Sequence, residues 1–437
     1  MNAGNRVQSN HSRMIMAGVA VFLLAFVVSL LLGHISKNGG WAAADQDGYH
    51  LPQVNSFIRD GFKLSYDSTS ATTPLSHLVY AKMATLFGIQ ELRQGDLFIN
   101  AVSATAASTA LVCLFVLTSM RSGSLLCGAL CVLSVFSSSY FILPSIYLVT
   151  EAVAFIFYFG LLLISVSVSD RLLRAFGFAS FCSLLVLTRQ VFLPVAASFA
   201  LASLGNLKER VHWLSAGRLL VLAGTIGLPA LVFIPFYLTW GGLVHPNFAQ
   251  YKAHTINVAL IVHNIELLGL FAPPFILLCS SSRFLTNRHL LTAVASFFAA
   301  LIIVASVDLG FDEDAGRFFS VIWSISRLED SILSGYRIVS IVLVTVGLFT
   351  LADGLCSTVF DSRFSIEWPA FVTYTAALSV QPFAWQRYVE MFVLVTLCVW
   401  ASGKIEELKG WKATAFASIF AVYFAISVVF KIWLPGA

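Results

Sequence analysis

The sequence predicts an all-α protein built as a polytopic transmembrane helical bundle. Of its 437 residues 58% are hydrophobic and only 11% are charged, against about 45–50% and about 25% in soluble chains. The apolar residues fall into thirteen runs of roughly membrane-crossing length. None shows the alternating polarity that a transmembrane barrel requires, which leaves helices as the spanning elements. About thirteen spans are expected, within a range of eleven to fourteen, forming one transmembrane domain over residues 1–437. A water-soluble enzyme, a disordered chain, a coiled coil and a disulfide scaffold are excluded on the same numbers. A net charge of +4 from scattered Lys and Arg gives no basic patch for nucleic acid.

The first run, 14–34, lacks a small-residue cleavage site and is expected to be a signal anchor. Runs at 97–119, 124–142 and 150–168 follow. The next two, 174–188 and 190–206, are one apolar stretch broken by Thr188, Arg189, Gln190 and Pro194, expected as a hairpin with its tip at Arg189–Gln190. The remaining runs are 219–238, 258–279, 290–307, 337–352, 368–383, 389–402 and 413–433. With a cytoplasmic N-terminus the inner segments hold fourteen of the 26 basic residues but seven of the 22 acidic ones, so the positive charge lies inside. Two outer segments are long. That at 35–96 contains amphipathic pieces near 49–60 and 75–88, expected as helices lying on the membrane. That at 308–337 carries Asp308, Asp312, Glu313, Asp314, Glu329 and Asp330. Inner loops are short and hold neither a Walker motif nor a glycine-rich dinucleotide loop, so any chemistry belongs to the outer face.

Polar residues gather at that face. Asp45 and Asp47 follow the first span, with Tyr49, His50 and Gln53 close behind. A carboxylate there can serve as a general base or hold a metal ion, the bland alternative being a solvated loop. In Tyr66 to Tyr80, Thr72, Thr73 and Pro74 form a helix start: hydroxyl caps ahead of a fixed-φ residue. Tyr147, Thr150 and Glu151 occupy the second outer turn, Arg189 and Gln190 the next, then His245, His254 and His263, with Arg387 and Tyr388 last. An isolated Arg or Glu at bilayer depth costs about 2.5–3.5 kcal/mol on insertion scales. Arg189 therefore either snorkels to the interface or clamps an anion, since a guanidinium fork suits a phosphate. Histidines nine residues apart share no helical face, which argues against a histidine metal site. Of the seven cysteines, six lie in apolar runs and Cys356 in a short loop; Cys127 and Cys131, one turn apart without a nearby His, are expected to pack. Carboxylates, arginines and aromatics on one edge of an apolar bundle suit a lipid-linked anionic substrate.

The order of these motifs resembles the GT-C glycosyltransferases, polytopic enzymes that use polyprenyl-phosphate sugars. Among them it is most similar to the dolichyl-phosphate-glucose α-1,2-glucosyltransferases. Their D-E-x-x-H-x-P-Q segment is matched by QDGYHLPQ (Gln46 to Gln53), and their W-D-P-x-I-T-T-P by YDSTSATTP, which includes Tyr66, Asp67 and Thr73. Y-x-x-D/E resembles YLVTE (Tyr147 to Glu151), RQxN resembles RQVF from Arg189, and a late R-Y resembles Arg387-Tyr388. The resemblance implies inverting sugar transfer, with Asp47 as general base and Asp45 its rival. Arg189 and Arg387 would stabilise the departing lipid phosphate. His50, Gln53, Tyr66, Asp67, Thr73, Tyr147, Glu151, Gln190, His245 and Tyr388 complete the substrate-binding set. No cofactor is required, though Asp45 and Asp47 could hold a divalent ion. Partners would be a polyprenyl-phosphate-linked sugar donor, a glycan or lipid-linked acceptor, and membrane lipids.

Three departures leave the sugar and the acceptor open. The Asp-Glu pair is Gln46-Asp47 here, the Asn after RQ is missing, and TWGGLVHPN lacks an acidic residue. The one N-x-S/T sequon, Asn10-His11-Ser12, lies on the inner side. A bacterial inner-membrane protein with its site on the periplasmic face is therefore expected. Two rival classes stand beside this one. A polymerase or ligase of diphosphate-linked glycan repeats would use the 308–337 segment. A transporter would place polar groups at the midplane and show repeated halves.

Overall fold

The computed structural model describes residues 3–36, 40–63, 69–203, 216–242, 244–251, 256–279, 287–310, 321–332, 336–360, 366–380, 386–405 and 408–429. Among them there is helix, turn and connecting segment but no strand. The helices are α1 (Ala3–Ile35), α2 (Gly40–Asp45), α3 (Leu51–Asp60), α4 (Leu75–Leu86), α5 (Leu97–Ser122), α6 (Leu125–Phe136), α7 (Ser139–Ile146), α8 (Thr150–Ser167) and α9 (Arg171–Thr188). They continue with α10 (Leu193–Ser203), α11 (Ala216–Trp240), α12 (Val258–Leu278), α13 (Asn287–Ser306), α14 (Val321–Ile332), α15 (Ile338–Phe360), α16 (Glu367–Leu378), α17 (Glu390–Ser402) and α18 (Gly410–Val428).

Each of the thirteen apolar runs contains helix among its described residues, and the protein is a polytopic membrane bundle. Among the described residues eight helices are long and apolar enough to cross a membrane, or nine if the bent pair α6–α7 counts as one span. That pair turns through 79° at the break between Phe136 and Ser139. Four runs give shorter helices, and α17 shows why a short helix persists. Its thirteen residues, about 20 Å long, are all buried, so protein rather than lipid surrounds it. A helix apolar on every side belongs in an interior.

The chain divides into two compact units, residues 1–193, 223–248 and 417–437 in one, and 194–222 and 249–416 in the other. In the first, α5 packs against α1, α6, α7 and α8, and α9 against α8. Phe136 stacks on Phe424 of α18, extending that core. In the second, α12 packs against α15 and α17, and α13 against α15. Small residues permit the tightest crossing: a Cβ on Gly269 would lie 1.9 Å from the Leu343 carbonyl, and one on Gly347 2.1 Å from that of Ile265. Such approaches drive helix association in lipid, where burial of apolar surface gives no advantage.

The two pieces of the first outer segment form α3 and α4; α3 is amphipathic as the periodicity predicts, whereas α4 is not, since it buries Ser76 and His77 together with Tyr80, Ala81 and Ala84. Two further expectations need correction. Thr72 and Thr73 do not cap α4: Pro74 is its N-cap and no side chain bonds there. The Thr73 hydroxyl instead donates to the Val186 carbonyl, 2.7 Å away, fastening α4 to α9. Cys356 lies within α15, which runs beyond residue 352, not in a loop.

Candidate functional site

Asp45 and Asp47 are not in a loop. Gly40 to Asp60 is continuously helical, and Gln46–His50 forms a π-helical turn between α2 and α3. Such turns insert a residue into the helix and often occur at functional sites. Two side chains two positions apart on a helix point to nearly opposite sides. The two half-buried carboxylates are therefore poorly placed to share an ion. Among the described residues no group of three or more His, Cys, Asp or Glu is arranged to hold a metal.

Gln46, at the position of the resembled acid, is buried. Its Oε1 accepts from the Leu148 amide at 2.8 Å, and its Nε2 donates to Asp47 Oδ1 at 3.3 Å. A carboxylate could accept the first bond but could not donate the second, and it would set like charges side by side. The amide thus fixes Asp47 while tying the turn to the Tyr147–Glu151 segment. Tyr147 Oη lies 2.8 Å from Ser36 Oγ at the end of α1, and its carbonyl accepts from Ser103 Oγ at 3.0 Å. Burial pushes the Tyr147 phenol up, the nearby Asp47 charge adds to this, and the Ser36 bond acts against it.

Glu151 lies in the first turn of α8, where the helix dipole favours a carboxylate. Arg189 stands where the backbone leaves α9, extended at φ −153° and ψ 118°, before the 3₁₀ turn Gln190–Phe192. The expected break in the apolar stretch thus falls at Arg189. Its Nη1 pairs with Glu151 Oε1, both side chains being 12% exposed. The guanidinium therefore carries its own counter-charge, a partner the sequence does not announce. Gln190 Nε2 donates to the Ala71 carbonyl at 2.7 Å, so the described part of the YDSTSATTP segment, from Thr69, reaches the same place.

His50 and Gln53 face inward from the π turn and α3, and both are buried. Gln53 Oε1 accepts from the Thr69 amide at 3.0 Å, while its Nε2 is buried without a partner among the described residues. His50 Nδ1 lies 2.9 Å from Nε2 of His77 on α4. One imidazole must donate and the other accept, so at least one is neutral. Burial holds His77 well below the usual histidine range, and His50 pushes it further down. His77 was not singled out by the sequence; its place three residues after Thr73-Pro74 is the one available signal. Tyr49 meets the edge of Phe248 at 6.3 Å. His245 lies nearby in sequence, half-buried beside Trp240, its Nδ1 accepting from the Asn247 amide at 3.3 Å.

The first unit therefore brings together Asp47, His50, Gln53, Thr73, Tyr147, Glu151, Arg189 and Gln190. Arg387 and the Tyr388 backbone belong to the second unit, in the 3₁₀ turn ahead of α17. His263 is not at an outer turn: it lies inside α12, fully buried. Tyr66, Asp67, His254, Asp312, Glu313 and Asp314 lie outside the described residues.

No family model matches the sequence, and no curated protein matches it. Two solved structures of ArnT from Cupriavidus metallidurans are similar to it. The apo state has a TM-score of 0.41 and 12% identity, covering 90% of this chain and 78% of that one. The form bound to undecaprenyl phosphate has a TM-score of 0.40 and 14% identity, covering 95% and 77%. Likeness at this level assigns neither a family nor a chemistry.

Proposed function

We propose that the protein is a membrane glycosyltransferase that moves a sugar from a polyprenyl-phosphate donor to a glycan or lipid-linked acceptor. The supporting observation is the convergence of four separated segments, 45–53, 69–73, 147–151 and 189–190, through Gln46–Leu148, Gln53–Thr69, Arg189–Glu151 and Gln190–Ala71. They assemble a half-buried carboxylate, sugar-suited amides and imidazoles, and a guanidinium in one unit of an apolar bundle.

In this reading the acceptor hydroxyl gives its proton to Asp47 as its oxygen attacks the anomeric carbon. The bond to the lipid phosphate breaks, and the phosphate leaves as an anion with inversion at the sugar. Arg189 stabilises that charge, with Glu151 orienting its fork. One such donor contributes about 10²–10³ in rate, by analogy with an oxyanion-hole donor. Gln53 Nε2 supplies a buried donor for a sugar hydroxyl. Transfer needs no cofactor in this scheme, and the site faces the periplasm of a bacterial inner membrane.

The test is incubation of the purified protein, in lipid, with a panel of polyprenyl-phosphate sugars and diphosphate-linked glycan repeats. The readout is the released lipid, polyprenyl phosphate from the monophosphate sugars and polyprenyl diphosphate from the diphosphate-linked repeats. Turnover of a monophosphate sugar supports the proposal. Turnover of diphosphate repeats alone would make the protein a polymerase or ligase, and flux without bond cleavage a transporter.

A further inference from the structure

The second unit holds a buried polar cluster that the transfer scheme does not use. His263 and Glu266, three residues apart and so on one face of α12, are both fully buried in a helix long enough to cross the membrane. On α14, Trp323, Ser326 and Glu329 recur at intervals of three and are buried as well. The His263 ring lies parallel to that of Trp323, with centroids 4.6 Å apart.

The two glutamates are treated very differently. Glu329 accepts from the Val339 amide at 2.5 Å, the Ser340 amide at 3.3 Å and the Ser340 hydroxyl at 2.9 Å, the donor set of an ionised carboxylate. Neither oxygen of Glu266 has a hydrogen-bond partner among the described residues, nor has either ring nitrogen of His263 or the hydroxyl of Ser326. Ser340 is close to Glu266 too, but its proton is committed to Glu329. The charged groups acting on Glu266 are Glu329 and Arg337. Arg337 is itself bound to Asp330 at 2.8 Å and to the Ser326 carbonyl at 2.8 Å. Glu390 of α17 is engaged by Gln386.

An ionised Glu266 would place a second anion beside Glu329, out of water and with the nearby Ser340 hydroxyl already donating to Glu329, which is prohibitively costly. The neutral acid avoids this and gains an O–H donor. Each orphaned polar group still costs about 1–3 kcal/mol. Water fills buried polar sites where two to four partners converge. We propose that the junction of α12 and α14 is a buried proton- and water-binding site, its proton held on Glu266 and its water joining that carboxyl to His263 and Ser326. The inference is independent of the glycosyltransferase reading.

The test is infrared spectroscopy of the full-length protein in lipid nanodiscs at neutral pH. The wild type shows a protonated-carboxyl C=O band that shifts in D₂O; Glu266→Gln loses it, and Glu329→Gln keeps it. If Glu266→Gln fails to fold, Glu266→Asp takes its place and should move the band. A band absent from the wild type, or untouched by substitution at Glu266, overturns the proposal. So does a wild-type Tm that rises with sodium chloride but not choline chloride, an increase missing in the folded Glu266 variant, because a metal cation would then occupy the site.

Discussion

Asp47, Arg189 and His77 each owe their chemistry to one neighbour, and each neighbour supplies a test. Gln46 orients Asp47 without adding charge, so Asp47→Asn should abolish sugar transfer while leaving the Tm unchanged; near-normal turnover would move the base to Asp45. Glu151 and Arg189 neutralise one another at 12% exposure. Removing one partner from a buried pair strands the other. Glu151→Ala should therefore cost on the order of 3 kcal/mol in denaturant unfolding, and replacing both residues with Met should restore most of it. For catalysis, Arg189→Lys keeps the charge but loses the fork, and donor turnover should fall. His77 has its pKa depressed below the ordinary 6.5 by burial and by His50. The unfolded chain thus takes up its proton first as pH drops, so this contribution is complete above 6.5 and declines below it. A plot of Tm against pH should slope less steeply on the acid side in His77→Gln than in the wild type.

At the scale of elements, periodicity predicts the helices well, including the amphipathic α3. Their fastening is another matter. Thr73 resembles a cap in sequence, yet its hydroxyl reaches a carbonyl 113 residues away. The α12–α15 crossing depends on Gly269 and Gly347, whose missing side chains leave room for backbone. Gly269→Ala should lower stability by about 1–3 kcal/mol, the usual cost of overpacking. Gly224→Ala on α11, where nothing among the described residues lies within 4 Å of the added carbon, is the matched control and should be neutral or better. Equal melting temperatures for the two variants would remove the close crossing.

For the whole molecule the testable quantity is orientation. In a cysteine-depleted background, a cysteine at Arg59, whose side chain is 72% exposed, should react with an impermeant reagent from the periplasmic side. One at Lys409 should react only after the membrane is opened, and the reverse pattern would invert the topology. Composition alone established the membrane bundle, because a chain with 11% charged residues cannot clothe itself in water. The break at Arg189 was legible for the same reason: polar residues interrupt an apolar run only at a cost. The Glu151 counter-ion, the Gln46 bridge, the His50–His77 pair and the orphaned Glu266 were not legible. Each depends on side chains from segments far apart in sequence or on hydrogen bonds that fail to form, and one-dimensional spacing carries no record of either. Hydropathy is a sum over neighbours along the chain and is fixed by sequence, whereas charge pairing and polar satisfaction are decided only when distant helices meet.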